Sequence, residues 1–304
     1  MPLFPFFHRP DGDRVTDESN VRKMMPYLMR GRNESAVYHE QNCDITRARA
    51  WLRIYNQKHE QAATLFHLML FALARGFHER PGVNRFVNGR HLYQRKHVEF
   101  SFAAKKSMSD DAPLVTVKVR FGRDESFTTI LKRIVQAIED GRGPTQSITD
   151  KQLALAMSLP SPLLSFTITL LRWLDRINLL PKAMIDSDPM FCSAFVANLG
   201  SVGLDNSYHH LYEYGNASLF AVIGVPKRQH VLDRRGNVEV LDTLQVRWTF
   251  DERINDGMYA GMAMRAVQKV VEDPTRHLGA PEDNADVVGH ADAGIVPPCP
   301  AAMQ

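Results

Sequence analysis

Cysteine is scarce, with Cys43, Cys192 and Cys299 the only three in 304 residues. None forms a C-x-x-C pair, and no histidines stand at metal-ligand spacing. Those absences exclude a disulfide scaffold and a structural zinc site, so the expectation is a reducing compartment, cytoplasmic by default, with no bound metal or cofactor. Charge of one sign is also missing: 37 Lys+Arg stand against 34 Asp+Glu, a net +3, and the basic residues are scattered. Nucleic acid is therefore not an expected partner. Long hydrophobic runs are lacking as well. The start, MPLFPFFHRPDGDR, has no basic n-region or small-residue cleavage site and does not read as a signal peptide. The most apolar stretch, PSPLLSFTITLLRWLDRINLLP (160–181), is interrupted by Arg172, Asp175 and Arg176. Its unbroken part is about half of the roughly 20 residues a bilayer span requires, so no transmembrane span is expected. No internal repeat is visible.

What is present is a globular composition, 44% hydrophobic and 23% charged, enough for a large core. Residues 47–56 and 61–77 read as helices, the second apolar on nearly every side and so buried. RPGVNRFVNGRHLYQR reads as a β-hairpin with Asn88-Gly89 as the two positive-φ turn residues. Val98, Phe100 and Phe102, then Val115, Val117 and Val119, alternate as half-buried strands that should be sheet neighbours. Asp124 is placed to cap the amphipathic helix ESFTTILKRIVQAIED and Gly141 to stop it. A polar linker follows at 142–151. Strands are expected near 191–198, 217–225 and 238–251, the last with Leu244, Val246, Trp248 and Phe250 on one side and Gln245, Arg247, Thr249 and Asp251 on the other. A final helix spans 257–272. Helices and strands without regular βαβ alternation favour a single α+β domain with a mixed sheet. Its expected bounds are an extension at 1–14, a core at 15–275 holding an apolar insertion at 152–184, and a flexible tail at 276–304.

Four segments, in order, resemble the catalytic core of the dihydrolipoamide acyltransferases of 2-oxoacid dehydrogenase complexes and the related chloramphenicol acetyltransferase. They are MMPYLMRGRNESAVYHEQNCDITRARAWL, with its strand ending in Asp-hydrophobic-Thr; ERPGVNRFVNGRHLYQR, with Pro-x-hydrophobic-Asn; FVANLGSVGLDNSYHHLYEYGNASLFAVIG, similar to FTISNLG and its following strand; and VRWTFDERINDGMYAGMAMRAVQKVVEDP, similar to strand, HRxxDG, helix. The resemblance implies a chloramphenicol acetyltransferase-like fold, a homotrimer with sites between subunits, and an acyl-CoA or acyl-lipoyl thioester as substrate. No lipoyl domain precedes the core in this sequence, so a stand-alone protein is expected.

In the resembled family a loop histidine is the base and a serine hydroxyl lies near the oxyanion. Laid onto FDERINDG and FVANLG, these positions fall on Glu252 and Ala197. A carboxylate at its ordinary pKa of about 4.3 is a weak base towards a thiol of about 8.5, although burial can raise it. Glu252 is thus either a substitute base or simply the ion-pair partner of Arg253, Arg247 or another cation. Asp256 is a candidate to orient the loop through Arg22 or Arg30, or to cap the helix that follows. Asn255 is a candidate to donate to an oxyanion or to satisfy its own backbone, and Asn198 is a candidate substrate-binding amide, with Asn198 and Gly200 also candidates for shaping the backbone. His209 and His210 either supply the missing imidazole from another position or are surface histidines. Arg85, Arg90, Arg95 and Lys96 are candidates to meet coenzyme A phosphates, or a solvated edge. The insertion packs on the core or a neighbouring subunit, or contacts lipid or a long acyl chain through 160–181. Two functions follow: an acyltransferase using Glu252, or an inactive trimeric scaffold that keeps the fold.

Overall fold

The computed structural model describes residues 9–105, 114–143, 157–233 and 235–282. A small antiparallel sheet joins β1 (Gly12–Arg14) to the hairpin β3 (Arg85–Asn88) and β4 (His91–Arg95), in the order β1-β4-β3. The main mixed sheet has seven strands: β2 (Ala36–Asp44), β5 (Val98–Lys105), β6 (Leu114–Phe121), β7 (Ala194–Asn198), β8 (Leu219–Ile223), β9 (Lys227–Leu232) and β10 (Val238–Asp251). Their order is β2-β10-β8-β7-β5-β6, with β9 against the first half of β10. Only β5–β7 and β7–β8 run parallel.

The helices are α1 (Asn20–Leu28), α2 (Thr46–Lys58), α3 (Leu65–Glu79), α4 (Phe127–Arg142), α5 (Ser161–Arg176), α6 (Lys182–Ser187), α7 (Gly257–Glu272) and α8 (Pro274–Leu278). Alternation decides which face of the sheet they cover. Phe100 pairs with Val119 and Phe102 with Val117 across β5–β6, and these four join Leu244, Val246, Trp248 and Phe250 of β10 under α2, α3, α4 and α7 in one continuous core. Each such large side chain contributes roughly 1.5–3 kcal/mol through burial. α3 lies innermost, buried along Leu68 to Ala74. It approaches α7 so closely that a Cβ on Gly76 would sit 2.7 Å from Val267 Cγ2. The opposite sheet face carries a smaller cluster, Cys192, Phe195, Leu211, Ala217, Phe220 and Val222.

Several local expectations shift. The hairpin turn is Gly89-Arg90, at φ 54° and 69°, and not Asn88-Gly89, because Asn88 pairs with His91 as the last strand residue. The Asn88 amide instead donates to Asp175 O at 2.7 Å and Asn178 Oδ1 at 3.1 Å, docking the end of α5. Ser126, not Asp124, caps α4 by accepting from Thr129 N at 3.2 Å, and the helix passes Gly141 to end at Gly143. The segment 9–14 is no loose extension: β1 joins the small sheet, and Arg9 and Asp11 are buried. Packing also continues past 275, since Trp51 Nε1 donates to Gly279 O at 3.0 Å and His59 Nε2 meets Pro281 O at 2.9 Å. The expected linker from 144 on, the insertion's first residues to 156 and the tail from 283 fall outside the described residues. Within the insertion, none of the sixteen α5 residues is buried. Its apolar residues do not serve the core, apart from Leu171 against Leu180, Ile185 and Phe191. No helix among the described residues is long and apolar enough to cross a membrane.

Candidate active site

Loop 251–257 joins β10 to α7, and polar contacts fix its backbone on every side. Asp251 N donates to Ser218 O at 2.9 Å, keeping β10 aligned with the start of β8. Its carboxylate, fully buried, accepts from Arg253 Nε at 2.8 Å, Nη2 at 2.7 Å and backbone N at 3.0 Å, and from Ser35 Oγ at 3.0 Å. Arg253 extends the brace, its Nη1 reaching Met29 O at 3.3 Å and Arg30 O at 3.1 Å. Glu252 N donates to Ser35 O at 2.9 Å, and Glu252 O accepts from Arg22 Nη1 at 2.6 Å. Asp256 accepts from Tyr259 N at 2.7 Å as the cap of α7, and its own N donates to Asn255 Oδ1 at 3.0 Å. Beneath the loop, Gly82 lets the Asn255 amide and Tyr259 ring approach: a Cβ there would lie 2.5 Å from Asn255 Nδ2.

The backbone of Glu252 is therefore held, yet its half-buried carboxylate has no hydrogen-bond or ion-pair partner among the described residues. The ion-pair alternative fails because both named cations are engaged elsewhere. Arg253 binds Asp251, while Arg247 meets Glu40 at 3.3 Å and Asn206 O at 3.2 Å. Arg22 and Arg30 do hold the loop, but through Glu252 O and through the Arg30 carbonyl, not through Asp256. Asp251 and Ser35, the buried anchor, escaped the sequence reading. The available signal was the Asp-x-Arg spacing at a polar-face position of β10.

The other candidates lie apart. Asn198 pairs with Ile223 at the far end of β8 from Leu219, which pairs with Phe250 next to the loop. Four residues of strand separate these ends, about 13 Å along the sheet. Within one chain Glu252 and the Asn198–Gly200 turn do not meet. Gly200 is required there by close approach, since its Cβ would fall 2.4 Å from Gly224 O. His209 stacks on Phe220 at 3.9 Å and on His210 at 4.5 Å. Its Nδ1 donates to His210 O at 2.7 Å, leaving Nε2 without a proton in the neutral ring, and burial pulls its pKa below the usual histidine value. His210 is exposed. Among the expected phosphate-contacting cations, Arg85 pairs with Glu18 at 2.6 Å and Lys96 with Asp13 at 3.4 Å. Arg95 is buried, donating to Asn216 O and Oδ1 at 3.0 Å each. Arg90 alone has no carboxylate partner among the described residues and lies over the Tyr27 ring at 5.3 Å.

Residues 191–278 match the sequence model of the 2-oxoacid dehydrogenases acyltransferase (catalytic domain) family. No curated protein matches the sequence. Among solved structures, the chain is similar to a probable dihydrolipoamide acetyltransferase from Listeria monocytogenes, with TM-score 0.57 and 16% identity over 90% of this chain and 99% of that one. It is similar to the cubic core of the pyruvate dehydrogenase multienzyme complex, with TM-score 0.54 and 15% identity over 86% and 93%. A chloramphenicol acetyltransferase matches with TM-score 0.50 and 11% identity over 86% and 98%. The chain has the chloramphenicol acetyltransferase-like fold of the dihydrolipoamide acyltransferase cores, and its segment 191–278, holding both the Asn-Leu-Gly turn and the Glu252 loop, carries that family's sequence pattern.

Proposed function

We propose that the protein transfers an acyl group from a thioester, acyl-CoA or acyl-lipoyl, to an acceptor hydroxyl or thiol, with Glu252 as general base between subunits of a homotrimer. The observation that carries this reading is a carboxylate without a partner on a loop whose backbone is held by Ser35, Arg22, the Asp251–Arg253 pair and the Asp256 cap. A base must be unoccupied and carried on a fixed backbone, and Glu252 is both. In the proposed step, Glu252 takes the acceptor's proton while the acceptor's sulfur or oxygen attacks the thioester carbon. The tetrahedral intermediate then expels the donor thiolate, which recovers that proton from Glu252. Because a carboxylate is a weak base, thiols with a pKa of about 8.5 are favoured over alcohols as acceptors.

The separation of Glu252 from the Asn198 turn supports a shared site, since only a second copy brings an equivalent turn to the loop. Asn198 from that copy and Asn255 then offer amide N–H groups to the oxyanion. His209, braced by stacking, and His210 lie on the opposite sheet face from the main core and serve as secondary proton carriers in this scheme. The exposed apolar residues of α5 favour a long acyl chain on the donor.

The test is thiol release from acyl-CoA esters of increasing chain length, with thiol and alcohol acceptors, alongside native mass spectrometry at micromolar concentration. Turnover by a trimer, fastest with long chains and thiols, is expected. A monomer would sink the shared site, and failure to cleave any ester would leave the fold as a scaffold.

A further inference from the structure

The C-terminal end of α5, the β3–β4 turn and the α1–β2 loop enclose a cleft of about 520 Å³. Six arginines line it (Arg30, Arg32, Arg90, Arg172, Arg176 and Arg253) against two carboxylates, Asp175 and Glu213. Asp175 is neutralised by a cation, while Glu213 keeps its charge and is held by neutral donors. Asp175 pairs with Arg9 at 2.8 Å, and Glu213 accepts from Arg32 N at 3.3 Å and from Asn33 N and Nδ2 at 3.0 Å each. Arg253 is likewise neutralised by Asp251. The remaining five arginines have no carboxylate within ion-pair distance among the described residues.

Arg32 makes this excess more than a solvated edge. It is 7% exposed, its Nη1 spends its donors on the carbonyls of Tyr212 at 3.1 Å and Glu213 at 3.0 Å, and its Nε is buried with no hydrogen-bond partner. Keeping an arginine charge out of water is costly, and the nearby carboxylates of Asp251, Glu213 and Asp175 make no direct ion pair with it. An anion in the cleft offsets that cost. The walls are also built rather than loose. Asn88 ties the end of α5 to the hairpin, and Gly89 lies so close to Arg176 that a Cβ would fall 2.5 Å from its carbonyl oxygen. Trp173, Phe191 and Tyr214 add an aromatic surface for an organic portion.

We propose that this cleft binds a ligand carrying two or more phosphate groups. Arginine suits the task because its planar fork donates two parallel hydrogen bonds to a phosphate, and several uncompensated forks around one space select for multiple charges. The cleft adjoins the Glu252 loop through Arg253 and Arg30, and its binding is measurable whether or not a thioester is turned over. The phosphates belong either to a soluble compound or to a lipid headgroup.

The experiment titrates inorganic pyrophosphate into the full-length protein by calorimetry at low salt, comparing wild type with an Arg90→Gln/Arg176→Gln variant and an Arg228→Gln control on exposed β9. One pyrophosphate per chain is expected, weakened at least tenfold in the double variant and unchanged in the control. No binding, or equal binding by wild type and the double variant, overturns the proposal. Co-sedimentation with phosphatidylcholine vesicles, with or without cardiolipin and its two phosphates, then separates the sources. Cardiolipin-dependent sedimentation that pyrophosphate displaces supports a lipid headgroup, and pyrophosphate binding without sedimentation supports a soluble ligand.

Discussion

Changing Asp251 to Asn should cost far more than its small chemical alteration suggests. The substitution preserves volume, so no cavity opens, but it leaves the Arg253 guanidinium, 4% exposed, facing a neutral amide. Four donors converge on the native carboxylate: Ser35 Oγ and Arg253 N, Nε and Nη2. One amide oxygen cannot satisfy them all. Removing one partner of a buried ion pair costs about 3–5 kcal/mol, because the survivor remains charged and unpaired. With a urea m-value of about 3 kcal/mol/M, the unfolding midpoint should fall by about 1–1.7 M. Buried Trp51 and Trp248, 2% and 1% exposed, provide the fluorescence signal. Replacing both partners, Asp251→Asn with Arg253→Met, removes the stranded charge and should recover part of the loss, which marks the two as coupled. A midpoint shift below about 0.3 M for the single variant, or strictly additive effects in the double, would refute the claim that this pair anchors the loop.

Other outcomes follow from local chemistry. His67 is buried and pulled from 6.5 down to about 4, while its Nδ1 accepts from Thr64 N at 3.1 Å in a capping box that opens α3. Its folded pKa lies below its unfolded one, so its stabilising contribution is complete above about 6.5 and falls away towards pH 4, by about 3 kcal/mol. His67→Gln retains the capping box and should flatten the acid side of a stability–pH curve relative to wild type; an unchanged slope would contradict the assignment. Gly200→Ala, facing Gly224 O at 2.4 Å, should destabilise by at least about 2 kcal/mol in urea denaturation. Gly257→Ala, at the start of α7 with nothing within 4 Å of the added Cβ, should be neutral or stabilise by about 0.5 kcal/mol. Equal effects at the two glycines would refute the close-approach reading.

Periodicity carried most of the fold. β10 and α7 occupy the ranges that the alternation at 238–251 and the helical pattern at 257–272 imply, because each buries one face against a common core. Where local chemistry had near-equivalent solutions, the pattern slipped by one or two residues. Asn88 and Gly89 suit a tight turn, but tertiary hydrogen bonds to the end of α5 hold Asn88 in the strand. Ser126 prevails over Asp124 because the side chain that reaches Thr129 N sets the cap. The site was less legible, since its parts combine residues distant in sequence. Glu252 was visible as a departure from a resembled motif, whereas the Ser35–Asp251–Arg253 anchor spans 218 positions between its outer members (253 − 35). The arginine cleft needs four separate segments to converge, those of Arg30 and Arg32, Arg90, Arg172 and Arg176, and Arg253, which no local pattern records.

The central claim is that Glu252 is a working base on an intact scaffold. The direct measurement is thioester cleavage under single-turnover conditions by wild type, Glu252→Gln and Glu252→His, with matched urea unfolding midpoints. The account predicts that Gln abolishes cleavage by at least about a hundredfold while His retains it or raises it. Cleavage by wild type and Glu252→Gln at the same rate would show that the base lies elsewhere, and cleavage by Glu252→His alone would show a site whose geometry survives without a working base.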